Sequence, residues 1–434
     1  MSAVFWTLWN SPPDNWVSPG IRTSDLKKHL PELLDEPERL AEFRMSAWRR
    51  RQACGATCWR YDARDKLAMG QRPAMKLSVI IANYNYRDFV GAAISIALAV
   101  DWPDKEVIVV DDASTDDSRA VIEDFRGEVT AYFRPKSYQL GAHIFGFEQS
   151  TGDVIIFLDA DDLLEPDVML EVAKVWRPGV SKVQYRMNLI DAAGTQLGTA
   201  IPQFPLVDDT EKLRRTFLRT MTYVTPPGSG NAYSRDFVRN AFAMAPATIR
   251  ESDAVLVTLA PMMGDILTIR RPLARYRIHA TNTMALRSLD AAKFRSRLQQ
   301  DAELALLFAT ASQRLHLPVA HDPLSRSFNH LQFRFASRLV EPAAHPFPGD
   351  TVIGLGYRLI RAAIPYSQMR WRDRTILLVW VVACALTPAY YRGNLVLWRF
   401  AAISRPTIVR TLLGAFSSLR STRLPDRTGT APGQ

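Results

Sequence analysis

The sharpest hydrophobic pattern in the chain begins at Leu77. Leu77-Ser78-Val79-Ile80-Ile81-Ala82 is a short apolar run rich in β-branched residues, the composition of a strand buried on both faces. Asp88 then opens an Ala-, Ile- and Val-rich stretch over 89–100, long enough for a helix, which Trp102-Pro103 breaks. Glu106-Val107-Ile108-Val109-Val110 reads as a second strand, and residues 114–117 offer N-caps for a helix through Phe125. A third strand over 129–133, a helix over 141–149, a fourth strand over 154–158 and a helix from Pro166 to about Trp176 follow. This alternation predicts βαβ units on a mainly parallel sheet flanked by helices, an α/β fold. Beyond residue 180 strands become sparse and helices dominate, notably over 291–315 and 328–340, before a Pro-rich boundary at 341–349.

Four divisions are therefore expected: an appendage with weak periodicity (1–74), the α/β domain (75–285), a helical extension (286–350) and a C-terminal segment (351–434). Charge changes the picture of the last. The net charge of +10 resides entirely in residues 351–434, which hold twelve Arg, no Lys and two Asp. The remainder is balanced, so no basic field marks a nucleic-acid partner. Within this basic segment, Thr375 to Tyr391 is a 17-residue run without a charge, interrupted by Pro388 and flanked by Arg370, Arg372, Arg374, Arg392 and Arg399. A buried hairpin, attachment to an anionic membrane surface and a true span all fit that run; a square span needs about 20 apolar residues. The first 16 residues lack a leader pattern, and three cysteines (Cys54, Cys58, Cys384) make no disulfide framework. Both features suit a cytoplasmic protein, peripheral at the inner face of the membrane if the C-terminal segment attaches.

Chemistry concentrates at two strand ends. Val109-Val110-Asp111-Asp112-Ala113-Ser114 ends the second strand and Phe157-Leu158-Asp159-Ala160-Asp161-Asp162 the fourth. Ligands of open α/β sheets bind outside the carboxyl ends of the strands, so both clusters face one rim. Helix capping explains one Asp per strand end, not five in two clusters. Carboxylates crowded on one rim repel each other unless a cation sits among them, and hard oxygen ligands suit Mg²⁺ or Mn²⁺, which also bridge diphosphate oxygens.

Residues 76–282 resemble a family 2 glycosyltransferase of the GT-A fold. The matching stretches run from Leu77 to Asn85, from Val109 to Asp116, and from Gly152-Asp153 through Asp162 to Pro166. The resemblance implies transfer of a sugar from a nucleotide-diphosphate donor, most readily a UDP-sugar, to a hydroxyl of a glycan or lipid-linked acceptor, with inversion. It implies roles residue by residue: Tyr84 against the base, Asp112 hydrogen-bonded to it, Asp159 near the ribose, and Asp161 on the metal with His279 as a further ligand. Asp253 matches the carboxylate that takes the acceptor proton, although Ser252 stands where an acid usually precedes it and Glu251 is shifted by one. Gly228, Ser229, Gly230 and Asn231 match the acceptor-side turn. Where many members carry an Arg-Asn pair near the phosphates, this chain has His143-Ile144, which leaves Lys136, His143 or Arg277 for that contact. A non-catalytic sugar-nucleotide binding protein remains the alternative. A sugar-phosphate nucleotidyltransferase fits less well, because no Gly-rich loop follows the first strand.

Overall fold

A computed structural model describes residues 75–205, 209–279, 291–364 and 371–400; the 1–74 appendage, Cys54 and Cys58 included, lies outside the described residues. In chain order the elements are β1 (Leu77–Asn83), α1 (Arg87–Leu98), β2 (Lys105–Asp112), α2 (Ser118–Glu123), β3 (Thr130–Arg134), α3 (Tyr138–Gln149), β4 (Val154–Asp159), β5 (Leu163–Leu164), α4 (Val168–Val175), β6 (Val180–Ile190), β7 (Gln196–Ile201), α5 (Thr210–Thr220), β8 (Asn231–Ser234), α6 (Arg235–Phe242), α7 (Ser252–Met263), β9 (Asp265–Arg277), α8 (Ala291–Arg314), α9 (Phe328–Val340), α10 (Val352–Ala363), α11 (Trp371–Leu386) and α12 (Ala389–Phe400).

The strands form one sheet in the order β3-β2-β1-β4-β8-β6-β9-β5, with β7 alongside β6. β1, β2, β3 and β4 are mutually parallel, as their short doubly buried runs predict. Successive side chains of a strand point to opposite faces, and here both faces are apolar. Leu77, Val79 and Ile81 join Val107, Val109, Ile156 and Leu158 in one core beneath α1 and α4. Ile80, Ile108, Val110, Ile155 and Phe157 join a second core beneath α3, α5, α6 and α7. On α3, a Cβ at Gly146 would lie 2.6 Å from Ile80 Cγ2, so only glycine lets the helix backbone settle this close to the sheet.

The region after residue 180 differs from expectation: β6, β7, β8 and β9 are strands, two of them long. β8 and β6 add antiparallel pairing next to β4, and β9 runs parallel to β6. Their sequences hid this because polar residues interrupt the apolar pattern. In β6, Lys182 and Gln184 are buried, and in β9 Arg270 and Arg271 accompany register shifts in the ladder with β6.

At the C-terminal end, α8 belongs to two cores. Leu307, Phe308 and Ala311 pack in the second sheet-side core, whereas Phe294 and Leu298 pack with α9, α10, α11 and α12 in a third. The Pro-rich stretch at 341–349 therefore does not separate two packing units among the described residues. It is itself tied down: buried Asp350 binds Arg334, Arg358 and His345, the last through Nε2 at 3.0 Å, and Arg338 donates to the Asp350 carbonyl at 2.9 Å. No helix among the described residues is long and apolar enough to cross a membrane. The uncharged run is broken by Pro388 into α11 and the start of α12.

Candidate active site

The parallel register puts both acidic motifs on one rim. Ala82 pairs with Val110 on one side and Asp159 on the other, and Asn83 pairs with Asp111. Asp111 is spent on local architecture, accepting from Asn83 Nδ2 at 2.8 Å and from the Ser114 amide at 2.9 Å. The chain turns sharply here, with Asn85 and Ala113 at φ of 58° and 65°, a left-handed conformation costly for a residue with a Cβ. Asp112 is left facing a cavity of about 630 Å³, lined also by Tyr84, Lys136, Tyr138, Gln139, Asp159, Asp161, Arg250, Glu251, Asp253, Tyr276 and Gln300.

At one end of this cavity lies a tyrosine-rich cation site. Lys136 Nζ is 2.9 Å from Asp112 Oδ2 and 2.9 Å from the centroid of Tyr84, which is 42% exposed. Asp112 Oδ1 accepts from the Ser137 amide and hydroxyl, at 2.5 and 2.8 Å. Arg250 lies 4.1 Å from the centroid of Tyr138. Aromatic faces and a fixed carboxylate suit a planar, hydrogen-bonding ligand group, and two cations suit an anionic one.

The centre of the cavity is anionic. Burial raises the Asp159 carboxyl well above the usual range, with Asp253 and Asp161 raising it further. Asp162 is raised by burial, then by Asp161 and Asp159. Burial raises the half-buried Tyr86 and Tyr276 phenols, and the same carboxylates raise them further. Asp161 Oδ2 lies 2.7 Å from His279 Nε2, and His279 packs against Phe89 and Tyr86. Among the described residues no group of three His, Cys, Asp or Glu side chains encloses an ion. Asp161 and His279 are the pair that could hold a divalent cation, since such ions are commonly held by one or two protein ligands when substrate phosphates supply the others.

The opposite wall holds Asp253, in the first turn of α7. It is partly buried and burial raises its carboxyl, opposed by buried Lys182. Lys182 Nζ donates to Thr225 Oγ1 at 2.8 Å and Tyr223 at 2.9 Å; burial drives its own ammonium well below the ordinary lysine range. The turn at Gly228–Gly230 lies directly behind Asp253: a Cβ on Gly228 would meet its Oδ2 at 2.5 Å. Gly228, Ser229, Gly230 and Asn231 are all buried, and only the preceding Pro227 reaches the cavity. None of these four expected acceptor-side residues lines the cavity. Ser229 Oγ accepts from the Asp159 amide at 3.1 Å, its carbonyl accepts from Tyr185 at 3.1 Å, and Asn231 Nδ2 donates to the carbonyls of Pro227 and Gly228. The turn positions the two carboxylates.

His143 is likewise placed away from the cavity. It is 1% exposed, tilted against the Phe157 ring, with Nδ1 2.6 Å from Ser252 Oγ, and burial pushes it down to about 3, so it stays neutral. The two positions that depart from the resemblance, His143 and Ser252, thus contact each other. Arg277 is also turned from phosphate contact: its Nε donates to the Asp161 carbonyl at 2.7 Å and its Nη1 to Ala192 at 3.0 Å. Of the three expected phosphate partners, Lys136 alone lines the cavity, joined by Arg250, which sequence reasoning passed over. Gln139 was also missed; its Nε2 donates to Asp159 Oδ1 at 3.0 Å. Gln300 comes from α8, more than 40 residues beyond Asp253, and nothing local announces it.

Comparison with known proteins identifies the domain that carries this cavity. Residues 78–238 match the model of Glycosyl transferase family 2. The chain carries a family 2 glycosyltransferase domain. An uncharacterized glycosyltransferase of Nostoc sp. is 35% identical over 215 residues, 48% of this chain and 66% of that protein. A GalNAc(5)-diNAcBac-PP-undecaprenol beta-1,3-glucosyltransferase of Campylobacter jejuni is 34% identical over 94 residues, 20% of this chain and 30% of the relative. The match thus spans two thirds or less of these relatives' own lengths. Among solved structures, Staphylococcus aureus TarS 1-349 in complex with UDP-GlcNAc aligns over 80% of this chain and 93% of that one, at 14% identity and a TM-score of 0.45. The glycosyltransferase domain has the expected α/β fold class, a sheet flanked by helices with a helical C-terminal region.

Proposed function

We propose that this chain transfers a sugar from a nucleotide-diphosphate donor, a UDP-sugar by preference, to an acceptor hydroxyl, with inversion and with a divalent metal. The observation that carries this reading is one cavity in which Asp159 and Asp161, from the end of β4, face Asp253, from the start of α7. Tyr84, Tyr138 and Asp112 suit the base, and Lys136 and Arg250 the anionic phosphates. Asp161 and His279 would hold Mg²⁺ or Mn²⁺, which supplies Lewis-acid neutralisation of the diphosphate.

Asp253 acts as general base. Its carboxylate takes the proton of the acceptor hydroxyl while that oxygen forms a bond to the anomeric carbon from the face opposite the diphosphate. The bond from that carbon to the phosphate oxygen breaks and the electron pair leaves with the diphosphate. Burial raises the Asp253 carboxyl, which strengthens it as a base. A glycan or lipid-linked acceptor enters from the side of Pro227, Glu251 and Gln300. The test is nucleotide release from a panel of donors with Mn²⁺, comparing wild type, Asp161→Asn and Asp253→Asn. Turnover by wild type alone supports the reading. Donor binding without release by any acceptor or by water would leave a sugar-nucleotide binding protein instead.

A further inference from the structure

The third core is saturated on one side only. α11 turns Leu377, Trp380, Val381 and Cys384 into that core. Its opposite side is also apolar: Trp371 is 68% exposed, Val379 62% and Leu386 80%, with Leu378 and Val382 at 46% each. At 100° per residue these five fall within about a third of the helix circumference, so they form one stripe. Just past the break, Tyr390 and Tyr391 are 89% and 57% exposed. Contiguous exposed apolar residues of this size mark an interaction surface rather than ordinary scatter.

The charges beside the stripe say what it meets. Asp373 is the only acid in residues 351–400, and it is turned inward at 6% exposure. Arg372, next to it in sequence, is exposed, as is Arg361 on α10, and the whole segment from 351 onward carries twelve Arg against two Asp. A second copy would bring the same positive charge to the contact and repel it. Five of those twelve Arg and one of the two Asp lie beyond residue 400, so that stretch brings no complementary charge either. We infer that the exposed face of α11, with the start of α12, lies in the plane of an anionic lipid surface. Aliphatic residues sit at the centre, Trp371 and the two tyrosines at the ends, and arginines at the headgroup level, the arrangement of an interfacial helix. Sixteen residues rise only about 24 Å, short of the hydrocarbon core, which excludes spanning and leaves lying flat.

This inference stands apart from the sugar-transfer reading and is tested without activity. The full chain is sedimented with vesicles of phosphatidylcholine, alone or mixed with phosphatidylglycerol, at low and high salt. The expected result is at least roughly tenfold more bound protein on anionic vesicles, reduced by salt, since each basic residue near the surface contributes to binding. V379E/V382E should abolish the difference with its melting curve unchanged. A second variant, L386S/Y390S, changes the two most exposed side chains and tests the face should the first misfold. Wild type that ignores anionic vesicles, or both variants binding like wild type, would overturn the inference. So would a concentration-dependent dimer that V379E/V382E dissolves, because the face would then belong to a second copy.

Discussion

The two halves of the sheet place their polar groups differently. In β1 to β4, the strand interiors are largely apolar and the carboxylates that line the cavity sit at or just past the ends, with Asp111 beside them fixed by the adjacent strand and the turn that follows. In β6, β8 and the turn leading into β8, polar groups are buried: Lys182, Gln184, Tyr185, Ser229 and Asn231 bond to neighbouring turns and strands. The first half presents acids at its rim; the other carries buried polar groups, among which Ser229 accepts from the Asp159 amide. The lesson is that strand-end chemistry tolerates being read locally, whereas the Asp253 position is set by long-range contacts from Gly228, Thr225 and Lys182.

Removing Asp253 should break this comparison most. Asp253→Asn is expected to lower transfer by about 10³-fold, within the range for a general base, while donor affinity by calorimetry stays unchanged. The wild-type acid limb of kcat/KM should lie above the ordinary carboxylate range, because burial raises this carboxyl. Full activity in the variant would move the base elsewhere. Next, chelation of divalent metal or Asp161→Asn should cost about 10²-fold to 10³-fold, with weaker donor binding, a combination that separates it from loss of Asp253. Gly228→Ala tests the scaffold itself. The new Cβ displaces the Asp253 carboxylate, so kcat should fall up to about 10²-fold with donor KM little changed, alongside a loss of roughly 1–3 kcal/mol in stability. Were kcat to survive, the turn would not aim the base.

Smaller effects sharpen the electrostatics. Asp159 and Asp162 have carboxyls raised in the folded state, so the stability they contribute is present at low pH and lost as pH rises through the raised values. The melting temperature of the metal-free protein should therefore fall over that window, Mn²⁺ should restore it, and Asp159→Asn should flatten the slope by roughly 1.4 kcal/mol per pH unit at most. The smallest change expected is Tyr84→Ala, a loss of about threefold to tenfold in donor affinity, from one exposed ring.

Sequence alone determined the parallel half of the sheet and the meeting of Asp112, Asp159 and Asp161, because doubly buried strands are written as unbroken apolar runs and their ends follow from the period. It also located Asp253 through a resemblance, and the structure brings that residue to the same cavity. Only tertiary structure decided the rest. β6 escaped notice because its buried Lys182 and Gln184 look like surface residues until Tyr223, Thr225 and Thr268 are seen to satisfy them. His143 and the 228–231 turn, expected near the ligand, are buried and bonded to Ser252 and the Asp159 amide, and whether a polar side chain faces a cavity or a neighbour depends on packing between distant segments. The apolar run of α11 was ambiguous for the same reason. A one-dimensional pattern records that both faces of a helix are apolar, and only the folded chain shows which of them is covered.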